Sequence, residues 1–390
     1  MTSLENFQRM MNRQKPEWLP MSLPLTPPVV DRLEKETGTR DTIAAFGLDF
    51  SDLGPRYYSR EKEWRTAFKD IGFQLPENSE IWAGGITHVA PPAKNLGEAY
   101  HFRQMLHPLE VIKDVGQLSR LPWEDIHDPA VYAYLAEEVA KAHAAGRVAV
   151  GQLQCTIFEF AWYLRGMDNL YVDWAEENGI SDWLLDWFME RSIACARAYC
   201  RAGCDVIFLG DDVGTQRDMM MSVEMWREHL KPRLKKVIDA VRATQTKQTW
   251  IAYHSDGNIQ RILPELIEIG VDILNPVQPE CMPLDKVFGE YKDRIGFWGA
   301  IGTQTTLPFG SPADIVAAVR LCADWVKRGA AIMVSPTHVI EPDVPWANVQ
   351  ALVDAVKAVR FEWTAAGRDQ GKALGISGGD SRGDSRRNAF

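Results

Sequence analysis

From Pro129 onward, two hydrophobic periods alternate along the chain. Short, nearly continuous apolar runs, "RVAVGQL", "DVIFLG", "WIAYH", "DILNPV", "IGFWGAI" and "AIMVSP", suit strands buried on both faces of a parallel sheet. Between them apolar residues recur at helical spacing, which predicts helices near 130–145, 182–202, 222–243, 259–269, 284–292 and 312–328, with a last one near 346–364. The unit around Trp250 is typical. Its apolar run stops at Ser255-Asp256-Gly257, a turn signal. Ile259, Ile262, Leu263, Leu266 and Ile267 then keep a helical period that Gly270 ends. Pro264 falls inside that period and should kink or restrict the helix. Six strands alternating with helices predict a parallel sheet with helical crossovers. "WLPMSL" near Trp18 and one further N-terminal strand bring the number to eight, which closes a (β/α)8 barrel. An open doubly wound sheet would offer a Gly-rich turn after its first strand, and none is present.

The first 125 residues lack this regularity. They are Pro-rich at "LPMSLPLTPP", aromatic at "GPRYYSREKEWRTAF" and carry a hairpin candidate at "IWAGGITHVAPP". We expect one barrel domain over 1–365. Within it, 1–125 supplies the first strands and an irregular lid, and 126–365 the regular β/α units. The stretch 366–390, with its tandem "GDSRGDSR", has almost no apolar periodicity and is expected to be a flexible tail.

Composition narrows the function. A chain of 390 residues with 46% hydrophobic content can bury a large core, and a formal charge of −10 disfavours nucleic acid or an anionic membrane surface as partner. A small-molecule substrate is the better expectation. No apolar run approaches the roughly 20 residues of a membrane span, and a cytoplasmic location is expected. Six cysteines without a C-x-x-C pair give no disulfide framework. Cys200 and Cys204, one helical turn apart, read as helix packing rather than as metal ligands.

In such a barrel the active site lies at the carboxyl ends of the strands. Those positions hold Gln152, Gln154 and Glu159; then Asp211, Asp212 and Gln216; then His254 and Asp256. Asn275, Gln278 and Glu280 follow, then Gln304, then Thr337, His338 and Glu341. Side chains at i and i+2 on a strand share a side, so His254 and Asp256 can converge on one ligand. A carboxylate after a strand is as often the N-cap of the next helix, and Asp212 and Asp256 carry both readings. Two histidines among carboxylates at one rim favour chemistry for His254 and His338. Most of the other six histidines read as surface residues. Trp18, Trp82, Trp162 and Trp298 lie where they could wall an aromatic pocket, although core packing is the commoner use.

At "GDDVGTQ", "YHSDGNI", "NPVQP", "GAIGTQTTLPFGSPADIVAAV" and "SPTHVIEPDVPWANV" the chain resembles the uroporphyrinogen decarboxylase superfamily from about residue 95 to residue 360. That superfamily includes methylcobalamin:thiol methyltransferases and the methyl-transferring subunits of corrinoid-dependent O-demethylases. The resemblance implies a distorted (β/α)8 TIM barrel. It also implies a choice between two chemistries. The decarboxylase branch carries an N-terminal arginine-rich stretch for an acidic tetrapyrrole, where this chain reads "KPEWLPMSLPLTPP" without arginine. Its catalytic tyrosine aligns with Trp162, beside Tyr163, whereas His338 matches its C-terminal histidine motif. The thiol methyltransferase branch binds zinc through His-x-Cys and a later Cys. By that resemblance His254 takes the histidine place, Asp256 the first cysteine place and His338 the second. Two imidazoles and a carboxylate still suit zinc, also admit iron, cobalt or manganese, and point to an oxygen-bearing substrate instead of a thiol.

The expectation is therefore a methyltransferase of O-demethylase type. It would move a methyl group from a small methoxylated or methylated substrate to a corrinoid protein or related acceptor. The chain has no D-x-H-x-x-G corrinoid segment, so the corrinoid would arrive on a partner. A divalent metal, zinc first, is expected on His254, Asp256 and His338, with Asp211, Asp212 and Glu280 orienting it or delivering protons. Gln154, Trp162, Gln216, Asn275, Gln278 and Gln304 are the expected substrate contacts. The alternative is a decarboxylase of a small aromatic or heterocyclic acid, in which Asp211 would stabilise a developing cation and His338 guide protonation. A barrel that binds without turnover is the third reading. A homodimer is compatible with all three, and the sequence does not choose the oligomeric state.

Overall fold

The computed structural model describes residues 1–89 and 104–363. Among them, the strands in chain order are β1 (Phe50–Leu53), β2 (Ser79–Ile81), β3 (Thr87–Val89), β4 (Gln104–Leu106), β5 (Val148–Gln154), β6 (Val206–Gly210), β7 (Trp250–His254), β8 (Ile273–Asn275), β9 (Gly296–Ile301) and β10 (Ile332–Pro336). Seven of them form one parallel sheet in the order β1-β5-β6-β7-β8-β9-β10. Each link from β5 onward is bridged by helix, as parallel pairing requires.

The eighth position is held by the extended "PMSLPL" segment, which overlaps the "WLPMSL" strand expected near Trp18. The Val334 N–H donates to the Pro20 carbonyl at 2.8 Å, and the Ser22 N–H donates to the Val334 carbonyl at 3.1 Å. On its other side, the Asp49 N–H reaches the Met21 carbonyl at 3.2 Å, and the Met21 N–H donates to Asp49 Oδ2 at 2.8 Å. Pro20 and Pro24 lack the N–H groups of a full ladder, so this stave makes only isolated bridges to Val334 and Ile340. A barrel in which seven strands and one proline-interrupted stave close the ring is the distorted (β/α)8 fold expected.

Predicted helices recur with informative differences. The pattern over 259–269 is helical only from Leu263 to Ile269, because Pro264 has no amide to donate and fits only the first turn. The helix expected over 222–243 starts at its Ser222 cap, widens into a π turn at Trp226–Leu230 and resumes at Lys231–Thr244. Pro232 lies at that resumption, where its missing N–H interrupts a regular ladder. The last helix ends at Ala358, short of 364. Beyond it the Phe361 N–H pairs with the Glu17 carbonyl and Trp363 Nε1 donates to the Pro16 carbonyl at 2.8 Å, which pulls the chain out of helical geometry.

Before the regular units, β2, β3 and β4 make a small antiparallel sheet. The expected hairpin near residue 81 is its β2–β3 pair, Ser79 facing Val89; the end of that stretch, like the tail expected over 366–390, lies outside the described residues. Inside the barrel, Trp298 packs against Phe50 at 4.3 Å between ring centres and edge-on against Phe208 at 5.4 Å. All three rings are buried. All six cysteines are free thiols, and buried Cys200 and Cys204 pack as expected. No helix among the described residues is long and apolar enough to cross a membrane.

Candidate active site

The register of β6 on β7 pairs Gly210 with His254, so the residues just past each strand meet at the carboxyl rim. Asp211 turns back toward β5. Its oxygens accept the Ile157 N–H at 3.0 Å and the Glu159 N–H at 3.0 Å, capping the helix Phe158–Arg165 from a neighbouring strand. Burial pushes the Asp211 carboxyl up to about 7, against the pull of those amide bonds. Asp212 points the other way. Its Oδ1 accepts the Asp256 N–H at 2.7 Å and lies 3.4 Å from His254 Nε2.

His254 is held from behind. Asn275 donates through Nδ2 to the Trp298 carbonyl at 2.7 Å, which leaves its Oδ1 facing His254 Nδ1 at 2.5 Å. An amide oxygen accepts, so Nδ1 carries the proton, and the Nε2 lone pair is left toward Asp212 and Asp256. This is how a metal-binding imidazole is usually oriented. The His254 side chain is only 6% exposed.

Asp256 Oδ1 lies 3.9 Å from His254 Nε2 and is buried without a hydrogen-bond partner. Burial raises the Asp256 carboxyl to about 7, with Asp212 and Glu280 adding to the rise and His254 opposing it. Glu280 accepts the Thr305 N–H at 3.1 Å and the Thr305 hydroxyl at 2.9 Å through Oε1, while its Oε2 is buried and unpartnered. Two glycines make these approaches feasible. A Cβ on Gly302 would sit 2.3 Å from Glu280 Oε1. One on Gly257, where φ is +81°, would meet the Gly214 backbone at 2.6 Å.

Donor atoms of Asp212, His254 and Asp256 all lie within 4.8 Å of one another. His338 does not join that group. It sits at the end of β10, two strands beyond β8 in the sheet order, and lines the cavity beside the group instead. Among the described residues, no lysine or arginine forms an ion pair with Asp211, Asp212, Asp256, Glu159 or Glu280. Half-buried carboxylates that no lysine or arginine among the described residues meets, the orphaned Asp256 Oδ1 and an imidazole presenting Nε2 together fit a divalent cation. One nitrogen and two carboxylates make a hard donor set, open to zinc, manganese or iron.

Two adjoining chambers open at this rim. The outer one, about 840 Å³, is lined by Trp82, Trp162, Asp256, Gln278, Gln304 and Phe309 among others. The inner one, about 690 Å³, descends into the barrel past Gln154, His254 and Asn275. Glu159, Tyr163, Asp212 and His338 line both.

Of the residues expected to contact substrate, Gln154, Trp162, Gln278 and Gln304 line these chambers. Gln278 also accepts the Gly257 N–H at 3.1 Å. Asn275 has both polar ends engaged and serves as the holder of His254. Gln216 lines neither chamber and accepts the Cys281 thiol at 2.9 Å. Asp211 lines neither chamber. What sequence reasoning missed is the Tyr163–Glu159 pair. The Tyr163 hydroxyl bonds Glu159 Oε1 at 2.8 Å, and the Asp212 N–H donates to Oε2 at 3.1 Å. Burial, then Asp212 and Asp211, hold the Glu159 carboxyl well above its ordinary range. The i, i+4 spacing of Glu159 and Tyr163 on one helix was a usable signal.

Comparison with known proteins agrees with this architecture. Methylcobamide:CoM methyltransferase MtaA of Methanosarcina barkeri is 28% identical over 188 residues, 47% of this chain and 51% of the relative. The same enzyme from the Fusaro strain of that organism matches equally. The chain thus spans about half the length of the curated relatives it matches. A solved structure described as a methyltransferase from Methanosarcina mazei superposes with a TM-score of 0.59 at 20% identity, covering 92% of this chain and 98% of that one; that likeness is one of fold. Residues 92–359 match the family model for uroporphyrinogen decarboxylase (URO-D), and with well over half its length inside that match the chain belongs to the uroporphyrinogen decarboxylase family.

Proposed function

We propose that the protein is a methyltransferase that takes a methyl group from a small methoxylated or methylated molecule and passes it to a corrinoid carried by a partner protein. The observation that carries this reading is the Asp212–His254–Asp256 group, whose donors converge between two chambers with no lysine or arginine beside them among the described residues. The relatives named for methylcobamide:CoM methyl transfer support the reaction class. The donor set here has no thiolate, which favours an oxygen-bearing substrate over a thiol.

His254 Nε2, Asp212 and Asp256 would hold a divalent metal, zinc first, whose charge would stabilise the oxygen left behind when the methyl departs. The chain's own groups do the rest. Asn275 keeps the His254 tautomer fixed. Tyr163 donates its O–H to Glu159 Oε1 at 2.8 Å; burial favours the protonated form of Glu159, and in that form the bond can reverse so that the Tyr163 O–H turns to the inner chamber. Tyr163 then protonates the leaving oxygen and is refilled by Glu159. The decarboxylation reading is weaker, because Asp211 lies outside both chambers with its oxygens tied to backbone amides.

The test is to incubate the metal-analysed protein with methoxylated compounds and a reduced corrinoid protein, following the corrinoid's absorbance. Methylation of the corrinoid that is lost on chelation and restored by added metal is expected. Full turnover after metal removal, or release of carbon dioxide in place of methylation, would overturn the reading.

A further inference from the structure

The inner chamber has a polar wall that the methyl-transfer reading leaves unused. Asp52, on β1, faces the same side of its strand as Phe50, and both line the chamber with Gln152 and Gln154 of β5. Gln152 Nε2 donates to Asp52 Oδ1 at 2.8 Å, which turns the Gln152 oxygen outward and leaves Asp52 Oδ2 with no hydrogen bond among the described residues. Asp52 is open to the chamber yet surrounded by protein. Burial accordingly raises its carboxyl above the ordinary range, opposed by the Gln152 bond. No lysine or arginine among the described residues lines either chamber. The floor between Asp52 and the metal-binding group is aromatic, built from Phe50, Trp298 and Phe208. β5 and β6 separate β1 from β7 in the sheet, so Asp52 and His254 stand on different walls.

Resting on the methyl-transfer reading, we propose that the inner chamber is the methyl-donor subsite. Asp52 and Gln152 there select a small, flat donor that carries a hydrogen-bond-donating group, a hydroxyl or an ammonium, at the end away from its methyl-bearing atom. The chemistry is one-sided. A carboxylate and an amide oxygen only accept, so they welcome an O–H or N–H. A carboxylate on the ligand would face Asp52 with no lysine or arginine among the described lining residues to offset it, and would be rejected. An analogue whose hydroxyl is capped leaves Asp52 desolvated and unpaired.

Three probes of one shape test this: 4-methoxyphenol, 1,4-dimethoxybenzene and 4-methoxybenzoate, titrated against the zinc-loaded protein by calorimetry. The phenol should bind about tenfold to a hundredfold more tightly than the dimethyl ether, the range expected for a hydrogen bond to a charged group, and the benzoate should bind weakest. In Asp52→Leu the phenol and the ether should bind alike, with metal content and melting temperature unchanged. Asp52→Asn, which keeps an acceptor, should restore part of the preference if Leu merely disturbs the strand. A preference for the phenol that survives Asp52→Leu, benzoate binding as tight as the phenol, or no binding of any probe to the wild-type protein would overturn the proposal. Because binding is read without turnover, the predicted order of affinities with no corrinoid methylation would leave the subsite standing and sink the transfer reading alone.

Discussion

The two ends of β6 carry the same residue type under opposite rules. Asp205, just before the strand, is 1% exposed, and each of its oxygens is met by a cationic or polar group. His143 Nε2 lies at 2.9 Å and the Ala149 N–H at 2.8 Å from Oδ2, and Lys247 Nζ at 2.5 Å from Oδ1. Asp212, just after the same strand, meets the Asp256 N–H and an imidazole, and no lysine or arginine among the described residues pairs with it. At the amino end the cost of burying a carboxylate is offset inside the fold. At the carboxyl end the Asp212 side chain stays 30% exposed to the chambers, where a ligand could reach it. Barrels divide in this way between a stabilising face and a reacting face, and the difference lies in burial and partners, since the residue type at the two positions is identical.

The sharpest way to break the contrast is at the reacting end. His254→Ala should lower turnover at least about a hundredfold and remove bound metal, while the denaturation midpoint hardly moves; metal retained at the wild-type stoichiometry would take His254 out of the site. Asp256→Asn keeps size and capping ability, and a comparable loss of activity is expected from charge alone. A variant with normal turnover would reduce Asp256 to a turn residue.

At the other end the sign reverses. Asp205→Ala leaves the buried Ala149 N–H without its acceptor and should cost about 2 kcal/mol of stability by urea denaturation, with kcat unchanged in the folded protein. Loss of kcat without loss of stability would erase the distinction between the two faces.

A smaller effect should appear in the pH dependence. Asp211 and Asp256 titrate near 7 in the fold, against an ordinary value of 3.8. The folded state therefore binds more protons than the unfolded one between those limits. Metal-free protein should be most stable below about pH 4 as far as these groups are concerned, and lose that contribution as pH rises through about 7. Divalent metal should flatten the decline, because it competes for Asp256. Parallel curves with and without metal would argue that Asp256 binds none. Smallest of all, His338→Ala should leave metal content intact and weaken substrate binding only, by about severalfold in KM; metal lost from this variant would return His338 to the ligand set.

The histidine and its i+2 carboxylate were legible because they follow one strand, where the period of two puts them on one side. Asp212 was legible as a rim residue but not as their partner, since that depends on Gly210 lying opposite His254 in the sheet. His338 was overvalued for the same reason. Matching it to a motif position says nothing of the distance across β8 and β9. Asn275, expected at the substrate, turned out to brace His254, and no local pattern distinguishes an amide that meets a ligand from one that meets an imidazole.

Local patterning by itself determined the alternation of buried strands and amphipathic helices, and through it the barrel and the rim where chemistry gathers, because burial acts on every turn and every strand independently of the rest of the chain. Only the tertiary structure decided which carboxylates stand alone. Whether Asp205 finds Lys247 and His143, whether Asp211 is spent on helix amides, and whether Asp256 Oδ1 is left without a partner depend on strand register and on contacts across the barrel. The energy of a buried charge is set by what lies within a few ångströms of it in space, and neighbours in the chain supply only part of that shell.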